Sequence, residues 1–126
     1  MIYNIARTAM ALILHIEDES NVRLLYKEVF EELGFRVLQA PTAEDALNIL
    51  RNHKPDIIIL DLRMPGMGGR GFLKKFHKLK YNIPIVVSTA YPFVSEDPIL
   101  GDIDAFVVKS GDMDELVKKV QELVLK

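Results

Sequence analysis

The chain has 126 residues, of which 49% are hydrophobic and 27% charged, a balance typical of one soluble globular domain. It contains no cysteine and three scattered histidines, which excludes a disulfide framework, a thiol nucleophile and a cysteine-based zinc site. The net charge of −2 gives no general attraction to nucleic acid or anionic lipid, and no apolar run approaches the roughly 18 residues that span a membrane, so we expect a cytoplasmic protein that binds neither.

Short apolar runs alternate with amphipathic segments along the chain. Residues 1–10 lack the pattern of a signal peptide and are interpreted as a short arm without defined structure, followed by one domain over residues 11–126. Apolar runs predict strands at 11–16, 36–40, 56–60, 83–88 and 105–109. Helical spacing of apolar residues predicts helices at 20–34, 41–55, 69–80 and 112–126.

Two helix starts carry recognisable capping residues. Thr42 and Asp45 resemble a capping box, and Ser20 is expected to be the N-cap of the first helix. The buried stripe of that first helix is predicted to contain Val22, Leu25, Val29 and Leu33.

The order of elements indicates an α/β fold with a parallel sheet. The strands are rich in Val, Ile and Leu and lack regular alternation with polar residues, which favours burial on both faces beneath helices. One segment, residues 91–104, stands where a further helix belongs but contains Pro92 and Pro98. Because proline in a helix interior costs about 3 kcal/mol, we expect this fourth helix to be short or irregular.

Acidic side chains follow two of the predicted strands. Glu17, Asp18 and Glu19 come directly after the first strand, and Asp61 comes directly after the third. If these strands are neighbours, the carboxylates meet at the C-terminal edge of the sheet and repel one another unless a cation is bound. Oxygen ligands without Cys or His suit a hard ion, so we predict a Mg²⁺ site.

Two further strand ends bring a hydroxyl and an ammonium group to the same edge. The fourth strand ends near Thr89, with Ser88 the less favoured alternative, and the fifth ends at Lys109. Carboxylates, a hydroxyl and a lysine together indicate phosphoryl transfer, in which one carboxylate attacks phosphorus and the other groups hold its oxygens.

From about Ala11 to Lys126 the chain resembles the receiver domain of two-component response regulators. The motifs that carry the resemblance are "ILHIEDE", "PDIIILDLRMPGMGG", "PIVVSTAY" and "AFVVK", in the family's order and spacing. The resemblance implies a flavodoxin-like, doubly wound sheet of five parallel strands in the order 2-1-3-4-5, with helices on both faces.

The resemblance also implies roles at the acidic edge. Asp61 would take phosphate from a histidine kinase or a histidine phosphotransfer protein. Asp18 and Asp61 would bind Mg²⁺ directly, the backbone carbonyl of Arg63 would be a further ligand, and Glu17 would act through water. Lys109 would pair with the phosphoryl group.

The remaining implied roles concern switching. Thr89 would be the hydroxyl that contacts the phosphoryl group, and Phe106 occupies the aromatic switch position. The side chains of Arg63 and Tyr91 occupy positions that tune the lifetime of the acyl phosphate. Together these residues would change a surface recognised by an unknown downstream protein, or the domain would relay the phosphate.

Two departures from the family pattern bear on this edge. Ser110 stands where the family usually has proline after the lysine, and we predict a trans Lys109–Ser110 peptide because a cis bond without proline costs about 2.5–4 kcal/mol. Gly68 stands where the family usually has aspartate, which predicts a more flexible loop.

We expect no enzyme activity beyond phosphoryl transfer to the protein's own aspartate and its auto-dephosphorylation. A degenerate receiver that acts without phosphorylation is one alternative. An aspartyl-phosphate phosphohydrolase is another, although such enzymes need a second Asp where this chain has Arg63. A flavodoxin-like cofactor binder is disfavoured because the acidic cluster would repel a cofactor phosphate.

Overall fold

The computed structural model describes residues 11–63, 68–90, 103–110 and 112–125. In chain order the elements are β1 (Leu12–Ile16), α1 (Ser20–Glu32), β2 (Arg36–Ala40), α2 (Ala43–Asn52), β3 (Ile57–Leu60), α3 (Gly68–Lys78), β4 (Ile85–Thr89), β5 (Ala105–Val108) and α4 (Asp114–Val124).

The five strands form one parallel sheet in the order β2-β1-β3-β4-β5. This arrangement is the flavodoxin-like topology, and it confirms the predicted fold class. The strand order reverses between β1 and β3, and the C-terminal ends of these two strands therefore flank the crevice in which such sheets bind ligands.

Alternate side chains of the buried strands pack into two apolar layers. Along β1, Ile13 contacts the layer formed with α1 and α4, whereas Leu14 and Ile16 contact the layer formed with α2 and α3. Both faces of the sheet are covered, which explains why the central strands lack polar alternation.

Aromatic pairs close the C-terminal ends of α1 and α3. Gly34 has a φ of 96°, and the Phe35 N–H donates to the Phe30 carbonyl, so that the two rings meet with centroids 5.6 Å apart. After α3 the left-handed residue is Lys80, with a φ of 60°, and the Tyr81 ring stacks on Phe76. Both ends are Schellman turns with the apolar contact that accompanies this motif.

The details of α1 correct two expectations. Ser20 is the first helical residue rather than the N-cap, which is Glu19 and makes no side-chain capping bond. Leu25 is 46% exposed, because the large aromatic side chains of Tyr26 and Phe30 occupy the centre of the buried face. The prediction for α2 is confirmed, since the Asp45 N–H donates to the Thr42 hydroxyl over 3.0 Å.

Several expectations fall on residues that are not described. These are the arm at 1–10, Tyr91 and most of the short or irregular helix expected at 91–104; residues 103 and 104 of that segment are described and are not helical. Within the described ranges, no helix combines the length and the apolarity needed to cross a membrane.

Candidate functional site

The neighbouring ends of β1 and β3 bring two acidic side chains together at the switch point. Glu17 and Asp61 are the residues that directly follow these strands. The Asp61 N–H donates to the Ile16 carbonyl at 3.1 Å, and the Glu17 N–H donates to the Ala40 carbonyl at 3.0 Å. Sheet hydrogen bonding therefore continues one residue past each strand and holds both backbones in place.

Three carboxylates form a cluster at this edge. One oxygen of each of Glu17, Asp18 and Asp61 lies within 4.8 Å of the others. Glu17 is fully buried and Asp61 is 7% exposed, whereas Asp18 is more accessible. The convergence predicted from the strand ends is therefore present in the structure.

Lys109 reaches the cluster from the end of β5. Its Nζ lies 2.6 Å from Glu17 Oε1 and 3.4 Å from Asp61 Oδ2. Its backbone N–H donates to the Thr89 carbonyl over 2.7 Å, which ties the ends of β4 and β5 together. One ammonium group thus pairs with two of the three carboxylates, and the cluster keeps an excess of negative charge.

The titration of this pair reflects burial and the shared charge. Burial, together with the charge on Asp61, raises the pKa of Glu17 to about 7, although the hydrogen bond from Lys109 acts to lower it. For Lys109, burial acts to lower the pKa, but the Glu17 hydrogen bond and the Asp61 charge outweigh it and raise the pKa.

The chemistry of this cluster fits a hard divalent cation. All its donor atoms are carboxylate oxygens, and the uncompensated negative charge is what a bound cation would neutralise. An open cavity of about 250 Å³ adjoins Asp61 and leaves room for water ligands or a phosphoryl group. Its lining residues are Glu19, Asp61, Arg63, Ala90 and Lys109.

The loop after β3 orients the Asp61 carboxylate through the backbone. The Arg63 N–H donates to Asp61 Oδ1 at 3.1 Å, while the Arg63 side chain is exposed. Gly69 packs against this loop so closely that an added Cβ would lie 2.6 Å from the Leu62 Cα and 2.7 Å from the Asp61 carbonyl oxygen.

The sequence did not predict a side-chain contact that holds residues 17–19 after β1, the acidic loop. Arg23 Nη1 donates to the backbone carbonyls of Glu17 and Asp18, at 2.9 and 2.8 Å. Five and six residues separate Arg23 from these carbonyls, a spacing with no recognisable pattern. The contact depends on how α1 packs on the sheet.

The two predicted switch residues that are described, Thr89 and Phe106, differ in how deeply they are buried. Thr89 is fully buried at the end of β4, and Phe106 is half-buried against the apolar layer of α2 and α3. Ser88, the alternative hydroxyl, lies 3.0 Å from the Tyr26 hydroxyl in the other layer. The Lys109–Ser110 peptide is trans, as predicted, since no described peptide bond is cis.

A parallel sheet in the order 2-1-3-4-5 with acids at its switch point, and with a hydroxyl and a lysine at its next two strand ends, defines a CheY-like receiver domain. The family model described as the response regulator receiver domain matches residues 13–121. The chain therefore belongs to the family of response regulator receiver domains, and its acidic pocket fits Mg²⁺ and a phosphoacceptor aspartate.

Curated relatives support the same assignment. The chain is 34% identical over 113 residues to sporulation initiation phosphotransferase F of Bacillus subtilis, covering 87% of this chain and 90% of that protein. It is 35% identical over 117 residues to the regulatory protein AtoC of Escherichia coli, covering 90% of this chain but only 25% of AtoC.

Among solved structures, the response regulator TrrA of Thermotoga maritima is similar in both sequence and fold. Its structure in complex with Mg²⁺ and BeF has a TM-score of 0.86 and 37% identity, covering 90% of this chain and 99% of that one. A second structure shows TrrA in complex with the histidine kinase ThkA, with a TM-score of 0.84, 37% identity and coverage of 90% and 98%.

Proposed function

We propose that Asp61 accepts a phosphoryl group and that the domain works as a phosphorylation-dependent signalling module. The observation that carries this proposal is the meeting of Asp61 with two further carboxylates and Lys109 at the switch point. A largely buried acidic cluster that one lysine compensates only in part is costly for stability, so its presence favours a role that needs it.

The residues suited to hold Mg²⁺ are Asp18 and Asp61 as direct ligands, with the Arg63 carbonyl as a third and Glu17 acting through water. When bound, the ion neutralises the cluster and stabilises the charge on the phosphoryl oxygens. The role of Glu17 is supported by its contact with Lys109, which already occupies one carboxylate oxygen at 2.6 Å.

In the proposed reaction an Asp61 carboxylate oxygen attacks phosphorus, and the bond between phosphorus and the donor's histidine nitrogen breaks. The backbone bond from Arg63 to Asp61 Oδ1 fixes the carboxylate and directs the other oxygen, Oδ2, towards Lys109. Lys109 Nζ is then placed to pair with the incoming phosphoryl oxygens, which would offset their charge.

The switching step is proposed to involve Thr89 and Phe106. The Thr89 hydroxyl would donate to a phosphoryl oxygen, and Phe106, half-buried beside the neighbouring strand, would rotate as Thr89 is drawn inward. Arg63 and Tyr91 would tune how long the acyl phosphate survives.

The proposed donor is a histidine kinase or a histidine phosphotransfer protein, and the output passes to an unidentified downstream protein or onward as phosphate. The kinase complex of TrrA supports this class of donor. The acceptor is the protein's own carboxylate, so the proposal includes no turnover of a separate substrate. The proposed location is the cytoplasm, because the kinase needs ATP to phosphorylate its histidine.

Intact-mass spectrometry after incubation with acetyl phosphate tests the proposal. We expect a Mg²⁺-dependent increase of one phosphoryl group that is abolished in Asp61→Asn and retained in Asp45→Asn, an exposed carboxylate on α2. An adduct that forms in excess EDTA, or that survives Asp61→Asn, would contradict the assignment.

A further inference from the structure

A groove lies between α2 and α3, at the edge of the sheet opposite the acidic cluster. Two adjoining cavities of about 440 and 480 Å³ share Arg51 and Tyr81. Their lining includes the residues that precede β3 and β4, which places the groove at the N-terminal ends of these strands. We name this surface the basic groove and define it by Arg51, Lys54, Lys75, Lys78, Leu79 and Tyr81.

The described carboxylates nearest the basic groove do not line it, since Asp56 and Asp104 at the neighbouring strand ends accept from the backbone N–H groups of Leu12 and Ile85. None of the described residues that line the two cavities is Asp or Glu. Nor does any of the four cations form an ion pair within the described ranges, unlike Lys27 with Glu31. In a chain of net charge −2, this surface is a separate region of positive potential.

The basic groove also exposes apolar surface. Leu79 is 58% exposed directly after α3, and the half-buried Tyr81 is fixed by stacking on Phe76, with centroids 5.5 Å apart. Arginine, tyrosine and an exposed aliphatic side chain around a concave surface are typical of protein-binding sites, in which a buried anchor is surrounded by polar contacts.

We propose that the basic groove binds an acidic peptide segment of a partner protein, with an aliphatic side chain inserted between carboxylates that pair with the cations. The unpaired cations supply charge complementarity, and the exposed Leu79 and the Tyr81 ring supply the contact for the anchor. The concave shape and the apolar lining favour a peptide over a nucleic acid backbone, which offers phosphates but no aliphatic anchor.

This binding surface is independent of the phosphorylation site. It lies at the other edge of the sheet and uses none of the residues assigned to phosphoryl transfer. A failure of this proposal would therefore leave the role of Asp61 unaffected, and the unphosphorylated 126-residue chain is the proper sample for its test.

Fluorescence anisotropy with a fluorescein-labelled peptide of glutamates interrupted by two leucines measures the interaction. We expect saturable, salt-dependent binding that weakens by about tenfold in Arg51→Glu and in Lys75→Glu. Lys74→Glu is the matched control, since Lys74 is an exposed neighbour on the same helix outside the groove, and its effect should stay below about twofold.

A second pair of measurements tests the anchor. Leu79→Ser should lower the affinity for the leucine-containing peptide by about fivefold. A peptide with serines in place of both leucines should bind less tightly to the unmodified chain. Equal binding of the two peptides, an equal loss in Lys74→Glu and Lys75→Glu, or tighter binding of a DNA oligonucleotide of matched charge would overturn the proposal.

Discussion

Arg23 stabilises the acidic loop without entering the acidic cluster. Its guanidinium holds the carbonyls of Glu17 and Asp18, the two residues whose side chains converge with Asp61. Such outer contacts fix the direction in which carboxylates point, and cation affinity depends on that direction.

We predict that Arg23→Gln weakens Mg²⁺ binding by about tenfold, because the acidic loop loses the two hydrogen bonds that Arg23 Nη1 donates to its carbonyls. Isothermal titration calorimetry measures the affinity, which is suitable because the chain has no tryptophan to report on the site. Lys27→Gln, an exposed cation one turn further along α1, is the control and should leave the affinity unchanged. An equal loss in both variants would mean that only the overall charge matters.

His15 lies in β1, buried beneath the acidic cluster, and it is held as a neutral ring. The Gln39 side-chain amide nitrogen donates to the Arg23 carbonyl at 2.7 Å and also contacts His15 Nδ1 at 3.1 Å. Because an amide nitrogen only donates, His15 Nδ1 is the acceptor and His15 Nε2 carries the hydrogen. The ring stacks on Tyr26 at 4.4 Å. Burial, together with the charges of Lys109 and Arg23, lowers the pKa of His15 to about 3.

We predict that His15 makes the fold sensitive to acid. Between about pH 6.5 and pH 3 the unfolded chain binds a proton that the folded chain excludes, so the free energy of unfolding falls as the pH is lowered through this window. The slope contributed by one proton is about 1.4 kcal/mol per pH unit.

Urea denaturation at pH 7 and at pH 5 measures this contribution. Because the raised pKa of Glu17 acts in the opposite direction over this window, the measure is the difference between variants: lowering the pH should be less destabilising in His15→Gln than in the unmodified chain. His53→Gln, at an exposed histidine, is the control. An identical pH dependence in His15→Gln would refute the assignment.

At the scale of elements, the start of α3 is joined to the acidic edge through two adjacent glycines with different constraints. Gly68 has a φ of 72° and open space where a Cβ would lie, whereas Gly69 approaches the backbone of Asp61 and Leu62. The first glycine is required by its conformation and the second by the distance to a neighbouring strand end.

We predict that Gly68→Ala and Gly69→Ala both destabilise the fold, by about 1 and about 2 kcal/mol respectively. Only Gly69→Ala should also slow phosphorylation by acetyl phosphate, because the added Cβ displaces the backbone that carries Asp61. Urea denaturation and intact-mass time courses on both variants separate the two effects. Equal phosphorylation rates would show that the close approach has no bearing on the site.

The end of α3 offers a prediction of the opposite sign. Lys80 occupies the left-handed position of a Schellman turn, which a residue with a Cβ adopts at a cost of about 1 kcal/mol. Lys80→Gly should therefore raise the free energy of unfolding by about 0.5 kcal/mol after the greater flexibility of glycine in the unfolded chain is allowed for. Lys74→Gly, inside the same helix, should lower it by about 1 kcal/mol. A decrease in both variants would show that the turn carries no strain.

Element types were predictable from the sequence because the strands are short runs rich in Val, Ile and Leu without regular polar alternation. The strand limits were also close: the fourth strand was expected at 83–88 and is Ile85–Thr89. The acidic edge was predictable because Glu17 and Asp61 directly follow strands. The rotation of α1 was not, since helical spacing alone does not choose between Leu25 and Tyr26 as the buried side chain. The contact of Arg23 with the carbonyls of Glu17 and Asp18 was not predictable either, because it depends on tertiary packing.

At the scale of the whole molecule, charge is separated between the two edges of the sheet. The three clustered carboxylates lie at the C-terminal ends of the strands, and the unpaired cations of the basic groove lie near the N-terminal ends, where Asp56 and Asp104 instead accept from backbone N–H groups. The apolar layers between them bury the central strands on both faces, so each edge is free to carry residues that lower stability in exchange for binding.

The acidic cluster is therefore expected to cost the whole fold stability when no cation is bound. Asp61→Asn removes one of three neighbouring carboxylates and leaves Glu17 and Lys109 as a neutral pair, so in EDTA this variant should be more stable by about 1 kcal/mol. Saturating Mg²⁺, at about 100 times its dissociation constant, should stabilise the unmodified chain by about 2.7 kcal/mol and the variant by less. Urea denaturation with and without Mg²⁺ measures both effects, with Glu28→Gln as the control for an exposed carboxylate on α1. If Asp61→Asn were the less stable protein in EDTA, the pairing with Lys109 would outweigh the repulsion among the carboxylates, and the cluster would be a structural feature of the fold rather than a cost tolerated for function.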